Sequence, residues 1–340
     1  MRDRVFIVAD DLTGALDSAA TFAMRGASVR VACRPDDLPA ALGSDAGVVA
    51  VATGTRDGSE AHARSVATRV AAMLADHSGI LFKKIDSRLK GHIATELEAL
   101  TSAGTTLLVN PAIPRLGRIC VGGAVTGAGV ETPIPVAPRV GQPVTLPDTH
   151  TAEDLARQLP ERLDGVVSVG AAGLAEALAD RLWPEALPHQ LPRPERPALL
   201  AIGSRDPVTA AQIATLQGVP VTDAPNGIAP DLTNHPLQLI RMSPGAEEIP
   251  GAEAGAQFAD TLARAHAQLK PRTLFACGGE SAAALLARLG IGQLDLLGEI
   301  LPGVPIARTT GAEKLTLITK SGGFGPPDTL VKLVNFLAND

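Results

Sequence analysis

The sequence predicts an α/β protein of two domains, each a mostly parallel sheet with flanking helices. Three observations predict it. Short apolar runs alternate with helical periodicity through the first half, a strand, glycine turn and helix recur through the second half, and a proline-rich stretch lies between them. At 340 residues there is room for two sizeable cores.

In the first half, strand-like runs fall at residues 4–9, 28–33, 47–53, 79–84 and 105–109, with helical stretches near 14–25, 59–76 and 92–102. From Pro111 the texture changes to glycine and proline punctuation, which predicts a loop or a hairpin. GVVSVG at 165–170 is a further strand, and the helical stretch behind it completes a first domain of residues 1–182. WPEALPHQLPRPERP, residues 183–197, holds five prolines and little periodicity, and reads as a stiff linker or a long surface loop. The second domain, 198–340, opens with the strand PALLAIGS and the helix DPVTAAQIATL. RTLFACGGESAAALLARLGI repeats that unit, and KLTLITKSGGFGPPDTLVKLVNFLAND adds a strand, a glycine loop and a closing helix.

Composition narrows the function. The chain is 45% hydrophobic and 19% charged with a net charge of -6, which argues against a general nucleic-acid binder. Aromatics are 2% and Tyr is absent, so base-stacking platforms are not expected. The start lacks the apolar run of a signal peptide and nothing approaches a membrane span, which predicts a cytoplasmic protein with no membrane partner. Cys33, Cys120 and Cys277 form no metal pattern and read as buried small residues. The histidines lie singly, without ligand spacing; His92 reads as a residue of a helix start.

Two stretches carry chemistry in the first domain. The strand Val5–Ala9 runs straight into Asp10 and Asp11, at the carboxyl edge where open α/β sheets bind ligands. Either acid could orient a substrate hydroxyl, hold a cation or cap the following helix. In KKIDSRLKGHIATELEAL, three of the chain's seven lysines (Lys83, Lys84 and Lys90) stand beside Arg88, a positive patch suited to a carboxylate or phosphate. Asp86 and Ser87 could orient those cations, cap the helix or bind substrate hydroxyls. In a parallel sheet both stretches share one edge, with Arg56 from ATGTRDG.

The second domain offers three glycine-bearing turns: IGSRD at 202–206, CGGES at 277–281 and KSGGFG at 320–325. Backbone NH groups there can approach a phosphate closely, and Ser204, Ser281 and Ser321 add hydroxyls. Neither a Walker A motif nor a GxGxxG fingerprint is present, which disfavours a P-loop protein and a dinucleotide dehydrogenase.

With these residues in place, the chain resembles the four-carbon acid sugar kinase family. The resemblance rests on ADDLTGALDSA, KKIDSRLKGHIATELEAL, PAIPRLGR followed by VGG, GSRDPVTAAQI, GGESAAALLARLGI with GEILPGVP, and KSGGFG, in register from end to end. It implies a sugar-acid domain, a nucleotide domain, and catalysis in the interdomain cleft by ATP with Mg2+, which arrives with the nucleotide and not on a dedicated protein site. It further implies that Asp11, Arg56, Lys84, Asp86, Ser87 and Arg88 contact the sugar acid. Ser204, Gly278, Gly279, Glu280, Ser281, Gly322 and Gly323 would contact ATP. Asp10 or Asp11 is expected to orient the attacking hydroxyl of a four-carbon acid such as threonate, erythronate or 3-oxo-tetronate. Arg88 and Lys90 stand where the family more often has Thr and Arg, a glycine replaces Asn in KSGGFG, and residues 121–149 form a short segment, which makes this a compact member. The competing expectation is a sugar-acid or nucleotide-binding regulator on the same fold. A homo-oligomer is left open.

Overall fold

A computed structural model of the chain describes residues 4–102, 104–185, 191–229, 231–232, 235–311 and 314–338. The chain divides into two compact units, residues 1–189 and 190–340.

The first unit runs β1 (Val5–Ala9), α1 (Leu12–Ala23), β2 (Val29–Ala32), α2 (Leu38–Leu42), β3 (Val48–Ala52), α3 (Glu60–Leu74), β4 (Ile80–Lys84), α4 (Ile93–Leu100) and β5 (Thr106–Asn110). There follow β6 (Arg118–Val121), β7 (Ala124–Gly127), β8 (Ile134–Pro135), α5 (Ala137–Val140), α6 (Ala152–Gln158), β9 (Val166–Gly170) and α7 (Ala172–Leu182). Six strands pair in parallel in the order β2–β3–β1–β4–β9–β5. VFIVA and VVAVA are buried along their whole length, as strands covered on both faces must be. α1 packs on α7 over one face, while α3 and α4 pack together over the other. All but one residue of α1 is buried, which its small side chains (Gly14, Ala15, Ala19, Ala20) allow. The stretch expected as a loop or hairpin folds as a small antiparallel sheet, β6–β7–β8. It shares a core with α4 and the large sheet through Cys120, Val125, Leu97 and Val167.

The second unit contains β10 (Ala198–Ile202), α8 (Pro207–Ala214), β11 (Val221–Pro225), β12 (Leu237–Ser243), α9 (Gly251–Leu269), β13 (Thr273–Cys277) and α10 (Gly279–Arg288). It ends with β14 (Gln293–Leu301), β15 (Val304–Thr309), β16 (Thr316–Lys320) and α11 (Thr329–Ala338). Its sheet order is β11–β12–β10–β13–β16–β15–β14, parallel as far as β16 and antiparallel beyond it. Its core joins Leu200, Phe275 and Ile318 from the central strands to Leu330 and Leu333 from α11. Both units are thus mostly parallel α/β sheets.

The span read as a linker, 183–197, is anchored at both ends. Trp183 is buried edge-on against Phe22, with ring centroids 5.6 Å apart. Glu195 donates its backbone NH to Thr273 Oγ1 at 2.9 Å, and Arg196 reaches the Leu337 carbonyl at 2.9 Å. Residues 186–190 lie outside the described residues. Among the described residues no helix is long and apolar enough to cross a membrane.

Candidate active site

In the first unit, register alone gathers the chemistry. Ala9 is level with Ala52 of β3 and Lys84 of β4, so Asp10, Thr53 and Ile85 form the next row beyond three adjacent strand ends. The chain reverses direction across the sheet at this place, because β1 feeds β2 on one side and β3 crosses to β4 on the other.

Asp10 is buried and both its oxygens are engaged by Arg56, Oδ2 by Nε at 3.0 Å and Oδ1 by Nη2 at 2.7 Å. Burial alone would raise the Asp10 carboxyl, but the Arg56 bonds and charge, with Lys83 and Lys84 nearby, hold it below the usual carboxylate range. Arg56 Nη2 also donates to Asp11 Oδ1 at 2.8 Å, and Nη1 lies 4.0 Å from Asp86 Oδ2. Asp11 caps α1: Oδ1 accepts from the Gly14 NH at 2.9 Å and Oδ2 from Thr13 Oγ1 at 2.6 Å. The arginine expected to meet a ligand is therefore already gripped by the two acids, with Nη1 its least committed end.

The basic stretch divides by strand alternation. Lys83 is fully buried and pairs with Glu96 of α4 at 2.8 Å, while Glu96 also accepts from Thr55 Oγ1. Its charge is spent on holding the Thr53–Thr55 turn that carries Arg56, which removes Lys83 from the expected positive patch. Lys84 faces α1 instead. It is buried, donates to the Ile85 carbonyl at 2.9 Å, and has no carboxylate within ion-pair distance among the described residues. A Cβ placed on Gly14 would lie 3.2 Å from its ammonium, which seats Lys84 beside the first turn of α1.

The residues after Lys84 are a loop, and α4 begins only at Ile93. Asp86 Oδ1 accepts from the backbone NH of Arg88 at 2.9 Å and of Lys90 at 3.4 Å. Leu89 (φ 58°) and Gly91 (φ 87°) are left-handed, so a right-handed helix cannot run through them. At Gly91 a Cβ would lie 2.8 Å from Asp10 Oδ2, so the loop closes on the acid only because glycine is there. The helix terminus beside the cations is thus that of α1, not α4. Ser87 accepts from Arg118 Nη1 at 2.6 Å, and Arg118 with Arg88 adds a second guanidinium to this edge. Burial, and then Arg88, lower the Arg118 pKa. His92 is bonded through Nε2 to the Gly58 carbonyl at 2.7 Å.

Asp17 was not singled out in the sequence. It is buried one turn further along α1, 3.7 Å from Arg115, and burial raises its carboxyl pKa against the pull of Lys84 and Arg115.

In the second unit the three glycine turns converge. Ile202, Cys277 and Lys320 are level on β10, β13 and β16, so Gly203, Gly278 and Ser321 form the next row. The NH groups of Gly203 and Ser204 donate to the Cys277 carbonyl, and that of Gly278 to the Lys320 carbonyl. Added Cβ atoms at Gly203 and Gly322 would collide with Ser281 and Ser204 respectively, which shows how closely the turns approach. α10 starts at Gly279 with Gly278 as its cap, and no side chain caps its first turn. Such a helix start flanked by glycine and serine suits a phosphate. The glycine loop has a support that sequence reading missed: buried Lys320 donates to the carbonyls of Ser321, Gly322 and Phe324 at 2.9, 3.1 and 3.0 Å. Gln212 of α8 donates to those of Phe324, Gly325 and Pro326. Burial lowers the Lys320 pKa.

The cysteines are free and buried, with the Cys33 and Cys120 thiols pushed up to about 12 by burial.

The first unit carries a cluster of acids and bases and the second a glycine cradle, a pairing that suits the class of proteins taking a polar acid and a nucleotide. Comparison with known proteins gives that class its family. Residues 5–154 match the model of a sugar-binding N-terminal domain, and residues 232–330 that of a nucleotide-binding C-terminal domain. A D-threonate kinase of Cupriavidus necator is 30% identical, with 94% of each chain covered. A 3-oxo-tetronate kinase of Methylobacterium radiotolerans is 27% identical over 97% of this chain and 98% of its own. A solved structure from Salmonella typhimurium LT2 shares the fold with a TM-score of 0.76 at 18% identity, covering 97% of this chain and 98% of that one. The chain belongs to the four-carbon acid sugar kinase family. Members transfer a phosphoryl group to a hydroxyl.

Proposed function

We propose that the protein phosphorylates a hydroxyl, terminal in the sugar, of a four-carbon sugar acid such as threonate, erythronate or 3-oxo-tetronate, with ATP and Mg2+. The observation that carries this reading is Lys84, a buried ammonium at the end of a central strand that makes no direct ion pair among the described residues and meets Asp10 and Asp17 only through longer-range charge. An acidic substrate supplies the direct partner.

Around it the remaining groups take roles. Arg88 and Ser87 offer donors to the acid, while Asp86, whose Oδ2 accepts no close hydrogen bond among the described residues, offers an acceptor to a hydroxyl. Arg56 Nη1 points to the same place. Of the two adjacent acids, Asp11 is the better one to orient the attacking hydroxyl, because its side chain keeps 17% of its surface exposed where that of Asp10 keeps 2%. Asp10 positions Arg56.

On the second unit, Ser204, Gly278, Gly279, Glu280, Ser281, Gly322 and Gly323 receive the triphosphate. Ser204 Oγ and the Asp206 carboxylate beside Gly322 and Gly323 are oxygen donors that would suit magnesium arriving with the nucleotide. Such an ion would supply charge neutralisation at the transferred group; the chain's own share is positioning.

The test is ADP release with ATP and magnesium across both threonates, both erythronates and the 3-oxo acids. Saturable turnover with one member is expected. Silence across the panel with ATP still bound would move the substrate outside four-carbon acids, and silence without ATP binding would favour a regulator.

A further inference from the structure

Arg118 lies 31 residues from Ser87 in the chain, yet Nη1 of the one meets Oγ of the other at 2.6 Å. The hairpin builds this meeting. Arg118 opens β6, where its backbone bridges Ile113 on one side and pairs with Gly127 of β7 on the other. A Cβ at Gly127 would collide with the Gly117 carbonyl, so the hairpin closes beside Arg118 only because glycine is there.

The guanidinium is held by all three of its nitrogens. Nε and Nη2 donate to the Ala128 carbonyl at 3.1 and 2.9 Å while Nη1 donates to Ser87. A Cβ at Gly129 would approach Nη2 to 3.0 Å, so the arginine fills a fitted slot. Among the described residues it makes no ion pair; Asp86 acts on it through longer-range charge and Arg88 opposes it.

Chemistry fixes the polarity of the contact. A guanidinium has donors and no acceptor, so Ser87 Oγ must accept, and its own proton stays available to another partner. Among the described residues nothing accepts that proton. Ser87 is buried, and a buried donor calls for an acceptor. With Arg88 and Arg118 both at this edge, an anionic oxygen is the acceptor that suits it best.

We propose that Arg118 is a positioning residue of this site: it holds Ser87 Oγ as a hydrogen-bond donor to the carboxylate of the sugar acid. The inference rests on the reading that this edge takes such an acid. Without the guanidinium the hydroxyl rotates, donates and accepts alike, and loses its bias toward an anion.

A double-mutant cycle on the full chain tests it, with Ser87→Ala, Arg118→Met and the two combined, each assayed for ADP release with the best tetronic acid. Each single variant should raise KM for the acid about tenfold or more, the scale of one lost hydrogen bond to a charged group, and leave KM for ATP unchanged. Because both remove the same bond, the double variant should stay within about threefold of the weaker single one. Arg118→Lys keeps a donor for Ser87, so it should cost less than Arg118→Met and nothing further when Ser87 is already Ala; this arm decides the matter if Arg118→Met does not fold. Penalties that multiply in the combined variants, or a folded Arg118 variant without its donor that keeps the wild-type KM for the acid, would overturn the positioning role and leave the kinase reading intact. A wild type that turns over no tetronic acid would overturn both.

Discussion

Arg56 and Asp10 form a two-point fork, Nε to Oδ2 at 3.0 Å and Nη2 to Oδ1 at 2.7 Å, across the ends of β3 and β1. This pair ties together the two loops that also present Asp11 and, through Gly91, the Asp86–Lys90 turn. The fork makes the site rigid before any substrate arrives.

Arg56→Ala should therefore cost stability as well as activity. It leaves Asp10 buried without its partner, a loss on the order of 3 kcal/mol by urea unfolding at neutral pH. Because the folded Asp10 carboxyl lies below its ordinary value, its contribution is present above the unfolded pKa and lost as pH falls through the folded one. The gap between wild type and variant should narrow below about pH 4. Arg56→Lys should recover little, since an ammonium cannot span both oxygens.

Lys84→Met should raise KM for the sugar acid by about tenfold to a hundredfold, the scale of a lost hydrogen bond to a charged group, and leave KM for ATP unchanged. Steady-state kinetics with each substrate varied in turn checks the split.

Lys320→Met should show the opposite split. Without the ammonium that gathers the Ser321, Gly322 and Phe324 carbonyls, the glycine loop loses its shape. ATP affinity should fall by about tenfold or more while sugar-acid affinity holds, as read by calorimetry with each ligand.

Asp17 predicts a stabilising change. Its folded pKa is raised, so the favourable, protonated form is present below the ordinary carboxylate pKa and its benefit is lost as pH rises through the folded value. Asp17→Asn, which imitates the protonated group, should melt higher than wild type at pH 7. The difference should vanish near pH 3; an unchanged difference across that range would contradict the assignment.

Cys33 and Cys120, with thiols pushed up to about 12, should resist an aromatic disulfide reagent at pH 8 in the folded protein and react when urea is added.

The strands that place the site were legible because both their faces are buried: VFIVA, VVAVA and TLFAC announce themselves as apolar runs, and the acids and glycines follow them directly. Less was visible where tertiary context decides. The 19-residue α9 spaces Phe258, Leu262, Ala265 and Leu269 at a helical period but dilutes them with Ala and Gly, β14 alternates buried with half-buried residues, and β15, buried at all but Arg308, is interrupted by Pro305, so none of the three stood out. In the site, Lys83 and Lys84 look alike in sequence. Strand alternation, which sends one to Glu96 and the other to α1, was the available signal. Arg118 reaches Ser87 from a hairpin 31 residues away, and Lys320 works on carbonyls, which leave no trace in the side-chain pattern.

The most direct measurement is phosphorus NMR of the product formed from ATP, magnesium and the best tetronic acid, with wild type and Asp11→Asn compared. The account predicts one new phosphate monoester whose rate of formation falls by orders of magnitude in the variant. Release of inorganic phosphate without an ester, or equal rates in both proteins, would contradict it.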